Sequence, residues 1–395
     1  MRINATTSSN QILIDLDEVI ENKEKIISID LSRNELKKFP EWLKDLVNLK
    51  TLDLSINELY LMPDWISTFN KLESLIINTN SLKELPNSII NLSSLKLLDL
   101  WGNDYTCFPE QICKLHNLRN LRLGENKLSS IPDSIGSLIK LESLDLISNY
   151  LEALPKSFTD LSNLKELDLW SNRFEFFPVE ICKLHELTRL DLRDNNITYY
   201  PDCLGDLKSL ESLVLDDNHI MFLPDTIGKL ERLKELGLYR CGLKKLPETF
   251  GQLSRLESVH LVNNRLEELP KNFNMLRNLK SLNLDQNDLK DFPMCICELK
   301  NLIELSITYN AISNLPDNIG NLSKLRSMDV SSNNLSTLPH SIKDLKSLEI
   351  LKFIDNPVAN NSEYKSRFSD FIIIENELFG PFIDDDDSPD EDLSF

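Results

Sequence analysis

The chain has 395 residues, of which 41% are hydrophobic and 27% charged. That is enough apolar material for a core and excludes a wholly disordered chain. Its 43 Lys and Arg stand against 63 Asp and Glu, a net charge of −20, which repels phosphate backbones and anionic lipid and argues against nucleic acid or a membrane surface as partner. Ten glycines are too few for a glycine-rich phosphate-binding architecture. No apolar run approaches the ~18 residues of a bilayer span. Asp15 and Asp17 interrupt the first apolar stretch, so no secretory leader is expected. The seven cysteines, Cys107, Cys113, Cys182, Cys203, Cys241, Cys295 and Cys297, are odd in number and irregular in spacing, and they predict free thiols in a reducing compartment.

The first predicted element is a short helix over 11–22, where Ile12, Leu13, Leu16, Val19 and Ile20 fall at helical spacing. Residues 1–25 are assigned to it as an N-terminal cap. From Ile26 the chain is periodic. Asn recurs at 34, 57, 80, 103, 126, 149, 172, 195 and 218, then at 264, 287, 310, 333 and 356, every step being 23 except one of 46 that holds Cys241. Pro keeps the same beat from Pro40 to Pro339. Fifteen units without insertion, L-x-x-L-x-L-x-x-N-x-L-x-x-L-P-x-x-I-x-x-L, fill 26–358.

Each part of the unit has its own physics. L-x-L has period 2 and predicts a short strand with one buried face. The run I-x-x-L after Pro has period 3, which suits a turn or two of 3₁₀ or short α-helix. Pro opens that segment at no hydrogen-bond cost, and an acid follows it in eight of fourteen units, as a helix N-terminus favours. The Asn amide has donors and an acceptor for a buried turn, and Cys241 reads as a weaker substitute in the same ladder. No unit buries its leucines alone; stacked, they share one core and one parallel sheet. The pattern breaks after Val358, where Asn361 and Ser362 replace Leu and Pro. Residues 359–383, with Tyr364, Phe368 and Phe371 at helical steps, predict a C-terminal cap. Residues 384–395 hold seven acids and predict a disordered acidic tail.

The repeat resembles the leucine-rich repeat family, and specifically its 23-residue intracellular subclass with N-x-L-x-x-L-P-x-x-I, found in Ras-pathway repeat scaffolds, Scribble and Erbin and plant Ras-group-related proteins. The resemblance implies an α/β solenoid. This is a horseshoe with a parallel concave sheet of about fifteen short strands and short helical or 3₁₀ segments on the convex side. It also implies a protein-binding surface rather than a shared chemistry.

No catalytic constellation assembles. Cys113 with His116 and Cys182 with His185 lie three repeats apart, roughly 14 Å along the stack, too far to share a tetrahedral zinc. Cys113, Cys182 and Cys297 stand where other units carry Gly136, Gly228 and Gly320, a small-residue packing slot. His219 and His260 are separated by nearly two repeats. Phosphate loops, nucleophile elbows and dinucleotide fingerprints are absent from the sequence. No enzyme activity, cofactor or metal is therefore expected.

The free positions are the third, fifth and seventh of the unit, which point out of the concave sheet. The fifth carries Arg122, Asp145, Asp168, Asp191 and His260; the seventh carries Trp101, Trp170, Arg193 and Tyr239. Asp145, Asp168 and Asp191 stack like charges about 5 Å apart, which is unfavourable without a counterion or partner. Trp101, Trp170 and Tyr239 fall every third repeat. The match of FPEQICKLH near 108 to FPVEICKLH near 177 gives the tryptophan pair an origin in duplication without explaining an exposed position. These nine residues are the candidate protein-binding set. The expected molecule is a monomeric, cytoplasmic, non-enzymatic scaffold that binds a protein with a basic segment, extended or helical. The alternative is a bacterial effector or regulatory module acting on a partner enzyme.

Overall fold

The computed structural model describes residues 1–361; the expected C-terminal cap beyond Asn361 and the acidic tail lie outside them. The chain begins with β1 (Asn4–Thr7) and β2 (Ile12–Leu13), continues through α1 (Leu16–Glu21), and enters the repeats at β3 (Ile26–Asp30). Fourteen three-residue strands follow, from β4 (Thr51–Asp53) to β17 (Ile350–Lys352). Each pairs in parallel with its predecessor at an offset of 23 residues, as Leu144 pairs with Leu167 and Leu167 with Leu190. The fifteen predicted repeat strands are thus all present.

The cap differs from the expected helix. Only Leu16–Glu21 is helical, and Asp15 starts it by accepting the Asp17 and Glu18 amides at 2.9 and 3.4 Å. Ile12 and Leu13 belong instead to a hairpin: β1 lies antiparallel to β3, with Ala5 opposite Ile29, and β2 pairs on its far side. The period-2 alternation of Ile12, outward, and Leu13, buried, carries that segment. Covering the first strand with antiparallel backbone satisfies its edge, which a helix would leave open.

Between the strands the chain returns through five-residue 3₁₀ segments such as Glu110–Lys114 and Asp133–Ser137. The proline before each supplies an extended residue whose carbonyl accepts the amide three residues on, as Pro132 does from Ile135 at 3.1 Å. The repeat leucines and isoleucines form one continuous buried cluster along the described chain.

The asparagine ladder holds the turns. Asn126 donates from Nδ2 to the carbonyls of Leu100, Leu123 and Gly124 at 3.0–3.1 Å, and its Oδ1 accepts the Tyr105 amide at 3.0 Å. Each Asn thus clamps its own turn to the previous repeat. The residue before it has φ near +50°, including Ile56 and Thr79, a left-handed conformation that β-branched residues rarely take; the four amide bonds over-determine it. Cys241 keeps only part of this, its Sγ donating to the Leu215 and Tyr239 carbonyls at 3.3 and 3.4 Å. The Ile220 amide, 21 residues earlier, has no Asn Oδ1 to meet. Cys241→Asn is therefore expected to raise the free energy of unfolding by about 1 kcal/mol, read as a higher urea midpoint.

The cysteines need one correction. Cys182 and Cys203 are disulfide-bonded, with Cα atoms 5.7 Å apart, whereas the sequence predicts free thiols. The packing slot of one return lies against the second residue of the next return, as Gly136 lies against Ser157. Only in this pair of repeats do cysteines occupy both places. The other five are free thiols.

Candidate functional site

The strands place alternate residues on opposite faces. Leu144, Leu146, Leu167, Leu190 and Leu192 point into the core, while Asp145, Ile147, Asp168, Trp170, Asp191 and Arg193 stand half-buried on the sheet face. Two lanes run side by side across the strands. The fifth position forms a charged lane from Asp99 through Arg122, Asp145 and Asp168 to Asp191; the seventh forms an apolar lane from Trp101 through Gly124 and Ile147 to Trp170.

In the charged lane Arg122 bridges two acids, with its Nη1 3.4 Å from Asp99 and its Nε 3.2 Å from Asp145. Arg193 pairs with Asp191 at 2.8 Å. Asp168 lies between, flanked by Asp145 and Asp191 in register. Its Oδ1 accepts the Trp170 amide at 2.9 Å, and among the described residues no basic side chain lies within ion-pair distance of it. Burial, and then the charge of Asp191, push the Asp168 carboxyl up to about 7. Burial also raises Asp145 and Asp191, against the opposing pull of Arg122 and Arg193 respectively.

In the apolar lane the absence of a side chain at Gly124 makes room for its neighbours. A Cβ there would stand 2.6 Å from Trp101 Cδ1 and 2.7 Å from Asp145 Oδ1, and would also meet Ile147. Trp101 is therefore laid down over Gly124 rather than fully exposed. Trp170 is half-covered in another way, by the Arg193 guanidinium 4.7 Å from its ring centre.

Seven of the nine candidate residues thus form one contiguous patch: Trp101, Arg122, Asp145, Asp168, Trp170, Asp191 and Arg193. Tyr239 and His260 lie apart from it. Val214 and Gly237 separate His260 from Asp191 along the fifth position, and His260 meets Ser258 at 3.2 Å. Tyr239 carries Arg240 5.5 Å over its ring and donates its amide to Asp216 at 2.7 Å. Two residues outside the candidate set belong to this surface. Asp99 is buried, accepting from Asn78 at 3.0 Å as well as facing Arg122. Gly124 shapes the Trp101 seat. The signal for Gly124 was its place as the small member between Trp101 and Ile147 in a lane otherwise bulky.

Comparison with known proteins gives this geometry its family. Residues 66–152 and 222–310 match a leucine-rich repeat region, and residues 162–220 and 300–358 match a leucine rich repeat. A leucine-rich repeat protein of Leptospira interrogans is 33% identical with a TM-score of 0.80, the match covering 91% of this chain and 98% of that one. The chain belongs to the leucine-rich repeat family. Repeat proteins of this kind generally mediate protein–protein interaction. The plant peptide hormone receptor RGFR1, solved in complex with RGF2, is 29% identical with a TM-score of 0.66, covering 80% of this chain and 57% of the receptor. The Arabidopsis thaliana receptor kinase ectodomain GASSHO1/SCHENGEN3, in complex with CASPARIAN STRIP INTEGRITY FACTOR 2, is 27% identical with a TM-score of 0.61, covering 81% and 46%. The repeat chain thus spans about half the length of these two receptors. No match was found among curated protein sequences. No helix among the described residues is long and apolar enough to cross a membrane.

Proposed function

We propose that this leucine-rich repeat protein is a non-enzymatic scaffold that binds a polypeptide segment with basic side chains across the middle of its sheet face. The observation that carries the reading is Asp168, a half-buried carboxyl held between two other acids with no cation paired to it among the described residues. A lysine or arginine brought there by a partner relieves like-charge stacking that Arg193 only partly offsets. The neighbouring lane of Trp101, Ile147 and Trp170 supplies the apolar and aromatic area that anchors interfaces. A helix presents one side chain per ~5.4 Å turn, close to the ~4.8 Å strand spacing, and so sets basic groups on the charged lane and apolar groups beside them. Peptide complexes of the receptor relatives support a polypeptide ligand.

The wider setting we propose is an intracellular signalling assembly, as in the 23-residue subclass the repeats resemble. Five free cysteines agree with it; the bonded Cys182–Cys203 pair is the observation that points the other way. A bacterial effector or regulatory module is the second reading, favoured by the similarity to the Leptospira repeat protein over nearly its whole length.

Affinity capture from native lysate tests the proposal, comparing the intact protein with the Trp101→Ala, Trp170→Ala, Tyr239→Ala variant. The expected result is a protein retained by the first and lost by the second, held more tightly at pH 8 than at pH 6 because Asp168 ionises on engaging a cation. An identical catch from both proteins sinks the sheet-face reading.

A further inference from the structure

A second surface lies where the chain leaves the sheet for the convex return. The residue two before each repeat proline is exposed; in five of the fourteen repeats it is charged, Lys38, Glu84, Lys245, Glu268 and Asp291, and in the others outside the stripe it is small or polar apart from Leu61. In three consecutive repeats it is instead Phe176, Tyr199 and Phe222, which are 73%, 62% and 56% exposed. Val179 and Met221, also more than half exposed, widen the stripe. The fold does not require aromatic rings at this position, because the same position elsewhere carries ions. A row of three large rings left open to water is the kind of patch that marks an interface.

The backbone beneath the stripe is tied from repeat to repeat. Thr198 donates to the Glu175 carbonyl at 3.4 Å and Lys244 to that of Met221 at 3.1 Å, while Phe222 and Lys245 form a parallel bridge. Acids border the rings: Glu152, Glu175, Glu180, Asp202 and Asp225, none of which pairs with a basic side chain among the described residues. Two nearby cations are engaged elsewhere, Arg173 over the Tyr150 ring at 4.1 Å and Lys245 with Glu268 at 3.8 Å, while Lys244 stands exposed beside Met221 at one end of the stripe.

This charge pattern selects the occupant. A second copy would set one acidic rim against another, on chains that each carry −20. An anionic lipid surface meets the same repulsion. A polypeptide with arginine or lysine beside large apolar side chains satisfies both parts of the surface, since a guanidinium stacks on an aromatic face and pairs with a carboxylate. We propose that the Phe176–Tyr199–Phe222 edge is a docking surface, separate from the sheet face, for a segment of another protein in which apolar side chains are flanked by basic ones.

Random peptides displayed on phage, selected on the full chain and counter-selected on F176S/Y199S/F222S, test this. The expected outcome is a consensus of aromatic or aliphatic residues next to arginine or lysine. A fluorescent peptide of that sequence should lose more than about tenfold in affinity on the triple variant and on E175K/D202K. It should bind the Trp101, Trp170, Tyr239 alanine variant as it binds the native chain, which separates this surface from the sheet-face proposal. Because the three side chains are mostly exposed, the triple variant should keep the native circular dichroism melt; F176S alone serves if it does not. No enriched consensus, an acidic consensus, or equal affinity for the triple variant overturns the proposal. So does a concentration-dependent dimer, or binding to phosphatidylserine vesicles, that the triple variant abolishes, because either assigns the stripe to a different occupant.

Discussion

Asn218→Ala is expected to lower the free energy of unfolding by about 3 kcal/mol. Asn218 is buried, its Nδ2 reaching the carbonyls of Leu192, Leu215 and Asp216 at 2.9, 2.9 and 3.2 Å while Oδ1 accepts the Ile197 amide at 3.0 Å. The three carbonyls keep other donors: Asn195 Nδ2, Cys241 Sγ and the Asp194 amide. The Ile197 amide keeps none, so alanine strands one buried N–H, at about 1–3 kcal/mol, and removes the side-chain bonds at about 0.5–1.5 kcal/mol each. Asn218→Cys should cost less than alanine, because a thiol still donates to the carbonyls as Cys241 does. Urea unfolding of the two variants checks both the size and the order; equal loss would mean that the ladder works through packing rather than hydrogen bonds.

Asp168→Asn is expected to stabilise the protein by about 2 kcal/mol at pH 8 and to have no such effect near pH 3. Asp168 is held up to about 7 by burial and by Asp191, against about 3.9 for an ordinary Asp. Below the lower value both folded and unfolded chains carry the proton, and the carboxyl costs nothing. Between the two values the folded chain keeps the proton that the unfolded chain releases, so stability falls as pH rises; above about 7 the full penalty applies. Asparagine keeps the acceptor for the Trp170 amide and carries no charge. Asp191→Asn makes the contrast, since it also removes the Arg193 ion pair and should yield no gain. Urea midpoints measured across pH for the three proteins decide the matter, and a pH-independent effect of Asp168→Asn would contradict the assigned ionisation. If a partner cation occupies this position, the same substitution that stabilises the free protein weakens the complex, which places the site among those where stability yields to binding.

Much of the architecture was legible in the residues. The 23-residue beat of Asn and Pro determined the number of repeats and the parallel register. It also determined the sheet-outward facing of Asp145, Asp168 and Trp170, because a period-2 strand inside a fixed repeat leaves one choice of face. Pro and a period of three predicted short helical returns, 3₁₀ or α, and the structure chose 3₁₀. The N-terminal cap was less legible: Ile12 and Leu13 satisfy helical spacing and strand alternation equally in so short a run, and only the open edge of β3 decided between them.

What the tertiary structure decided is lateral. The offset of 23 says which residues are neighbours, but not which way their side chains turn or which charge takes which partner. Arg122 divides itself between Asp99 and Asp145, Arg193 turns to Asp191 and Trp170, and Asp168 is left in the middle. Trp101 lies over Gly124 because no side chain stands there. The Cys182–Cys203 bond joins two returns whose contact exists only once the repeats are stacked. The left-handed residues before each Asn carry almost no sequence signal, since Gly102 is the one glycine among them; the conformation is imposed by the amide ladder of the neighbouring repeat. Periodicity alone sets backbone and burial, because each repeat must bury its leucines in the same way. The binding surface is free of that constraint, and its pairings are set by packing and charge between adjacent repeats.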